Sequence, residues 1–365
     1  MSERSQMNNR HRSSSKPIGL SARHIWTAIA FAVVASVAVI IWPWTQGDSW
    51  DSVKAIALDF HWLLVALGFV LLRDLGYIVR LRTLTRGALG WGRSTSSIVL
   101  WELASALTPS VVGGSAVASF VLHRNGLSWG RSLATVMATA LLDELYFILA
   151  VPLVALFVGW VAFFPDGELW FSGSIVAIFW GGYVFMVVLA TLLSSALFWR
   201  PQFVHRMLRR VFEAAWLRRW ASRGHQFSDD LLAASRNLQM LTWKGWIGAL
   251  TSTIVSWTAR FLTLNAVLMA VMAPAMPDGN MLSQIEIWAR QLSMWTIMLI
   301  SPTPGSSGLA EFALPTFMND ILPWTLTAAS WAALALIWRG LTYHLYLLTG
   351  VAWLPVWLRR TSASN

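Results

Sequence analysis

Residues Pro302–Glu311 read P-T-P-G-S-S-G-L-A-E and interrupt the apolar stretch Gln284–Met318 near its middle. Proline removes a helical donor and clashes with the preceding turn, so a simple lipid-facing helix tolerates such a run poorly. A second stretch, Ser94–His123, is broken in the same way by P-S-V-V-G-G-S-A-V-A-S-F from Pro109 to Phe120. Aligning Gly113 with Gly305 also superposes Ser115 on Ser307, Val117 on Leu309, Ala118 on Ala310 and Phe120 on Phe312, without a gap.

The surroundings of both breaks are those of a membrane protein. Of 365 residues, 56% are hydrophobic and only 12% are Asp, Glu, Lys or Arg, about half the charged share of a soluble domain. The 24 tryptophans fall often near the ends of apolar runs, where an amphipathic indole suits the lipid–water boundary. A helix needs about 20 apolar residues to cross the hydrocarbon core. Six runs qualify: His24–Trp44, Leu58–Val79, Leu133–Trp160, Phe171–Trp199, Trp243–Met272 and Trp324–Trp357. With no cysteine, thiol catalysis, disulfides and cysteine-ligated metal are excluded.

Charge sets the direction. Five Lys and Arg precede the first span, five lie between Arg73 and Arg93, and nine between Arg200 and Lys244, so these stretches are read as cytoplasmic. Thr45–Ala57, Val161–Trp170 and Ala273–Ser283 carry only Lys54 against five acids and are read as external. A full crossing at Ser94–His123 would put the cation-rich Arg200–Lys244 segment outside. A re-entrant hairpin turning near Pro109–Gly114 avoids this, and Gln284–Met318 dips in from the opposite face by the same reasoning. The expected fold is therefore an all-α integral membrane protein with six full spans and two oppositely oriented re-entrant helical hairpins in an inverted repeat. Residues 58–160 form the first repeat, 171–240 a linking span with a cytoplasmic amphipathic segment, and 243–357 the second. Residues 1–23 are expected to form a disordered basic tail before a transmembrane domain at 24–360. Both termini are cytoplasmic, in the cytoplasmic (inner) membrane.

Such hairpins would start two half-helices inside the protein, at Gly114–Ser115 and Ser306–Gly308, with unpaired N–H groups that attract anions. Polar residues at helical spacing line three spans: Ser132, Thr135, Thr139, Asp143 and Tyr146; Ser252, Ser256, Arg260 and Thr263; Arg339, Thr342, Tyr346 and Thr349. Three such stripes predict a shared cavity. Gly113, Gly114, Ser115, Gly305, Ser306, Ser307, Gly308, Arg260 and Arg339 are the expected substrate-binding residues, the arginines because a guanidinium fork holds two phosphate oxygens. The competing reading makes both arginines structural partners of Glu311, Asp143 or Glu102. Glu102, Asp143, Glu144 and Glu311 are candidates for proton coupling, with helix-to-helix hydrogen bonding the favoured reading of Glu144. Glu286 and Arg290 are expected to pair along one helix. Pro201–Trp220 alternates apolar and arginine positions at helical spacing and is expected on the membrane surface, held by anionic lipid.

At these residues the chain resembles the lysylphosphatidylglycerol synthase transmembrane region family, the flippase-like domain proteins, from about Leu58 to Trp357. Pro302–Glu311 is similar to the family's Pro-x-Pro-Gly-x-x-Gly-x-x-Glu element, and Pro109, Gly113 and Asp143 look like its first-half elements. Gly114 stands where the family usually has an acid, and its Glu-Arg pair falls on Thr139 and Ala140. Arg339 looks like the family's arginine in the last span. The resemblance implies translocation of a lipid headgroup, with aminoacyl phospholipids and polyprenyl-linked intermediates as substrates. No soluble aminoacyl-transferase domain follows the spans, so synthesis of an aminoacylated lipid is not expected.

The expected function is thus movement of an anionic lipid headgroup (phospholipid, aminoacyl phospholipid or polyprenyl phosphate), without catalysis, cofactor, metal or nucleic acid. Self-association or an envelope-biosynthesis partner is compatible with it. The alternatives are a membrane-embedded transferase and an accessory subunit of cell-envelope biosynthesis. No nucleophile elbow, metal-binding histidine set or phosphate-binding glycine loop supports the enzyme.

Overall fold

The computed structural model describes residues 50–54, 58–108, 110–165, 172–214, 217–272, 281–299, 301, 303–322 and 325–362, with isolated positions between 27 and 47. The expected basic tail, most of the expected first span and residues Ala215–Trp216 of the amphipathic segment lie outside them.

After a short helix, Trp50–Lys54, the helices are α1 Phe60–Leu84, α2 Trp91–Leu107, α3 Ser110–Arg124, α4 Trp129–Val158, α5 Ser172–Ser194, α6 Pro201–Glu213, α7 Ala221–Gln239, α8 Trp243–Met272, α9 Met281–Met298, α10 Leu309–Met318, α11 Ala328–Arg339 and α12 Leu345–Ser362. No strand occurs among the described residues. Five segments are long and apolar enough to cross a membrane: Phe60–Leu84, Trp129–Val158, Gly173–Trp199, Trp243–Met272 and Ala328–Thr361.

Local chemistry sets the boundaries. Asp59 caps α1 by accepting the His61 N–H at 2.9 Å, and Ser128 and Thr327 cap α4 and α11. Thr108 precedes Pro109 and is extended, as steric conflict with a proline ring demands, and α2 stops there. The break between α9 and α10 uses left-handed backbone at Gly305, Ser306 and Gly308. Ser306 has φ 55° despite its Cβ, a strained conformation of the kind that collects at functional sites.

Two wide helical turns also occur among the described residues. After α5, Ser195–Trp199 forms a π turn closed by the Arg200 N–H on Ser195 O at 3.0 Å, and the Leu197 carbonyl lacks its α-helical donor because Pro201 has no N–H. Ser235 Oγ and Gln239 Nε2 donate to that carbonyl instead, at 2.7 and 3.0 Å, and so dock α7 on the end of α5. The second π turn, Gly340–His344, follows Arg339 and joins α11 to α12.

Helices α1 and α8 share the largest interface, and contacting positions rise along one as they fall along the other. Asp59 N–H donates to Ala270 O at 2.8 Å, Ser256 Oγ donates to Arg73 O at 3.0 Å, and Gly76 abuts Ser252 and Ser256. The two helices are antiparallel. A Cβ at Gly76 would collide with Ser256 Oγ and stand 3.0 Å from the Ser252 carbonyl, so glycine sets the approach. Apart from the contacts of the linking helices α5–α7, the packing between these helices is reciprocal: α2 pairs with α3 as α9 does with α10, α3 with α4 as α10 does with α11, and α2 lies on α12 as α9 does on α4. Exchanging the two halves of the chain leaves this pattern unchanged.

The structure also corrects the charge reading. Arg73 and Arg80, counted with the loop cations, lie inside α1 and are 1% and 5% exposed. They belong to the interior, leaving Arg82, Arg86 and Arg93 at that end of α1 and α2.

Candidate functional site

Two adjoining cavities lie where the halves meet. The first, about 170 Å³, is walled by Glu102 and Ser105 of α2, Arg260 of α8, Gln291 and Trp295 of α9, the break around Gly305, and Arg339, Tyr343 and Tyr346. The second, about 190 Å³, is walled by Tyr77 and Arg80 of α1, Ser115 of α3, Asp143 and Glu144 of α4, and Trp257 of α8. Glu102, Ser105, Arg260, Trp295 and Leu299 line both. The three polar stripes contribute Thr139 with Asp143, Arg260, and Arg339 with Thr342 and Tyr346. Ser132, Thr135 and Thr263 instead bond to carbonyls one turn back in their own helices.

Buried charges need partners, and most have them. Arg73 pairs with Glu102 and lies 3.9 Å from Asp74, which accepts the Tyr346 hydroxyl at 2.8 Å. Arg80 pairs with Asp143, which also accepts the Trp257 indole N–H at 2.7 Å. Tyr77 lies between them, its ring centroid 5.2 Å from the Arg73 guanidinium and 5.0 Å from that of Arg80. Arg290 pairs with Asp320 at 2.8 Å, with the expected Glu286 partner farther away at 3.8 Å.

Arg339 holds the second break together. Its Nε donates to Glu311 at 3.0 Å, its Nη2 to the Gly305 carbonyl at 2.8 Å and to Ser307 Oγ at 3.4 Å. The other Glu311 oxygen accepts the Gly308 N–H at 2.7 Å. The anion at the start of α10 is therefore the chain's own carboxylate, balanced by Arg339 and the helix end. The Tyr343 ring packs on Gly305, and its hydroxyl donates to Ala106 O at 3.2 Å, linking this break to the end of α2.

Arg260 is different. Its guanidinium lies 4.5 Å from the Trp295 ring centroid and 5.2 Å from that of Trp257, and it makes no hydrogen bond or ion pair with any described residue. It is only partly buried, and both cavities reach it.

The glycines of the first break do not begin a helix as expected. Helix α3 starts at Ser110, immediately after the proline, so Gly113, Gly114 and Ser115 sit within its first turns. Gly114 permits close packing on Ser105, whose Cα would be 3.1 Å from an added Cβ, and Ser115 lines the second cavity. In the second break Gly305 and Ser306 line the first cavity, whereas Ser307 and Gly308 face Arg339 and Glu311. Sequence reasoning missed Arg73, Tyr77 and Arg80, although their spacing of four and three marks one helix face. Counting Arg73 and Arg80 with the loop cations concealed them. Among the described residues, no three His, Asp or Glu side chains gather as a metal site.

A helical bundle with apolar outer faces and a charged, hollow interior defines a polytopic membrane protein. The chain belongs to the family described as the lysylphosphatidylglycerol synthase TM region, whose model matches residues 25–350. It is 24% identical over 336 residues to a UPF0104 membrane protein of Archaeoglobus fulgidus, covering 88% of this chain and 94% of that one. No solved structure matches the chain.

Proposed function

We propose that this protein translocates the phosphate-bearing headgroup of a lipid across the cytoplasmic membrane, with the headgroup in the two cavities and the acyl or polyprenyl tails in the bilayer. The observation that carries this reading is Arg260. Arg73, Arg80, Arg290 and Arg339 each meet a carboxylate, whereas Arg260 rests on two indoles and lines both cavities. A cation kept in a membrane interior without a carboxylate in contact is costly unless an anion visits it. A phosphate suits a guanidinium fork.

The family ties the chain to membrane lipid. The antiparallel α1 and α8 and the reciprocal packing support an inverted repeat, in which Ser94–His123 and Gln284–Met318 are re-entrant from opposite faces, with six crossings in all and both termini cytoplasmic. The protein acts without catalysis in this reading. The apolar face of α6 formed by Phe203, Met207 and Val211, more than 40% exposed at each, lies on anionic lipid with Arg206 and Arg210 beside it.

Translocation of a labelled phospholipid and a labelled polyprenyl phosphate in proteoliposomes tests the proposal. Arg260→Ala is expected to abolish movement of at least one while the protein remains folded. Undiminished movement would overturn the phosphate site, and a chemically altered lipid would favour the transferase.

A further inference from the structure

Helix α4 carries two adjacent acids with opposite fates. Asp143 is held by Arg80 and the Trp257 indole. Glu144, although 8% exposed, makes no hydrogen bond or ion pair with any described residue, and it lines the second cavity together with Arg260.

An isolated carboxylate in such a place is strongly disfavoured, so Glu144 must carry a proton or acquire a positive partner. The charged and titratable groups facing the same cavity are Tyr77 and Arg80 on α1, Glu102 on α2, Asp143 on α4 itself and Arg260 on α8. Arg80 is committed to Asp143, and Glu102 to Arg73. From α5 and α9, which also pack on α4, the cavity receives Met186, Trp295 and Leu299, none of them charged. The charges there that make no ion pair or hydrogen bond with a described residue are thus one guanidinium and one carboxyl.

We infer that Glu144 is a proton-binding site coupled to phosphate binding at Arg260, so that one proton enters the cavity with each anionic headgroup. This deepens the headgroup-translocation reading and rests on it. When Glu144 is ionised, its charge opposes a phosphate and competes for Arg260. A proton from water on a Glu144 carboxylate oxygen removes that opposition and releases the guanidinium to the phosphate. By linkage, a bound phosphate in turn strengthens proton binding at Glu144. Cavity net charge is then the same with proton and phosphate monoanion both bound as with both absent, which lowers the cost of moving the loaded site through a bilayer.

The test uses purified full-length protein in detergent and dihexanoyl phosphatidylglycerol, a phosphodiester that does not titrate between about pH 5 and 8. Binding is measured calorimetrically in buffers of different ionisation enthalpy, which reports protons taken up per lipid bound. The wild type is expected to bind more tightly as pH falls, by at most about tenfold per pH unit, with uptake of up to one proton. Glu144→Gln should bind with the low-pH affinity at every pH and take up none. Binding without proton uptake in the wild type, or an unchanged pH profile in Glu144→Gln, would overturn the inference and leave the phosphate site standing. Failure of the wild type to bind the lipid, or binding unaffected by Arg260→Ala, would overturn the underlying reading as well. Selective binding of the ethanolamine analogue that is lost in Glu144→Gln would assign Glu144 to an ammonium group and likewise overturn the proton site.

Discussion

The Arg260 guanidinium lies 4.5 Å from the centroid of the Trp295 ring, and both side chains border both cavities. Trp295 is itself fixed by Trp257, 5.0 Å away edge-on, and by Phe147, stacked at 6.1 Å. The cation is therefore oriented by aromatic faces, which leave its N–H groups available, whereas a carboxylate would consume them.

Trp295→Phe and Trp295→Leu should slow headgroup movement in that order of severity. A cation–π contact contributes about 0.5–2 kcal/mol, and indole is its strongest donor face. Initial rates in proteoliposomes should fall by roughly twofold to thirtyfold. Equal rates for Phe and Leu would show that the ring acts only as packing.

Glu311→Gln should destabilise the fold by about 3–5 kcal/mol, because it leaves the Arg339 charge buried without its counter-ion. A Glu311→Leu, Arg339→Met double variant should lose less than the sum of its single changes. Thermal unfolding of the four proteins in detergent completes the cycle, and additive losses would argue against direct coupling.

Gly76→Val should cost about 1–3 kcal/mol, since the added atoms meet Ser256 and the Ser252 backbone across the α1–α8 interface. Gly68→Ala, on the same helix with nothing within 4 Å of an added Cβ, is the matched control and should be neutral or slightly stabilising. Equal loss at both positions would refute close packing at Gly76.

Acid should loosen α7 from α6. His205 Nε2 lies 2.7 Å from Asp229, and this hydrogen bond holds the Asp229 carboxyl below its ordinary range. A carboxyl with a lowered folded-state pKa contributes stability that is complete above its unfolded value and disappears as pH falls through the folded one. Amide exchange in α7 should therefore accelerate, relative to the rest of the chain, as pH drops below the ordinary aspartate value, and Asp229→Asn should remove that dependence. The same relative acceleration in Asp229→Asn would place the effect elsewhere.

The apolar runs, the prolines that end α2 and precede α10, and the glycines at the second break are legible in the sequence alone, because crossing length and backbone sterics act within a few residues. Trp243–Met272 matches its helix end for end, and Gly308 stands one residue before α10. The start of α3 was misplaced because Gly113 and Gly114 could serve either a turn or close helix packing, and only the proximity of Ser105 decides which. Charge pairing lies further from local reading. Arg73 meets Glu102 across 29 residues, Arg80 meets Asp143 across 63, and Arg339 meets Glu311 across 28. Composition and spacing alone settled that charges would be buried in this bundle. Which of the charges lining the cavities make no ion pair with a described residue was decided by tertiary structure, since an ion pair forms only where packing brings opposite charges within a few ångströms.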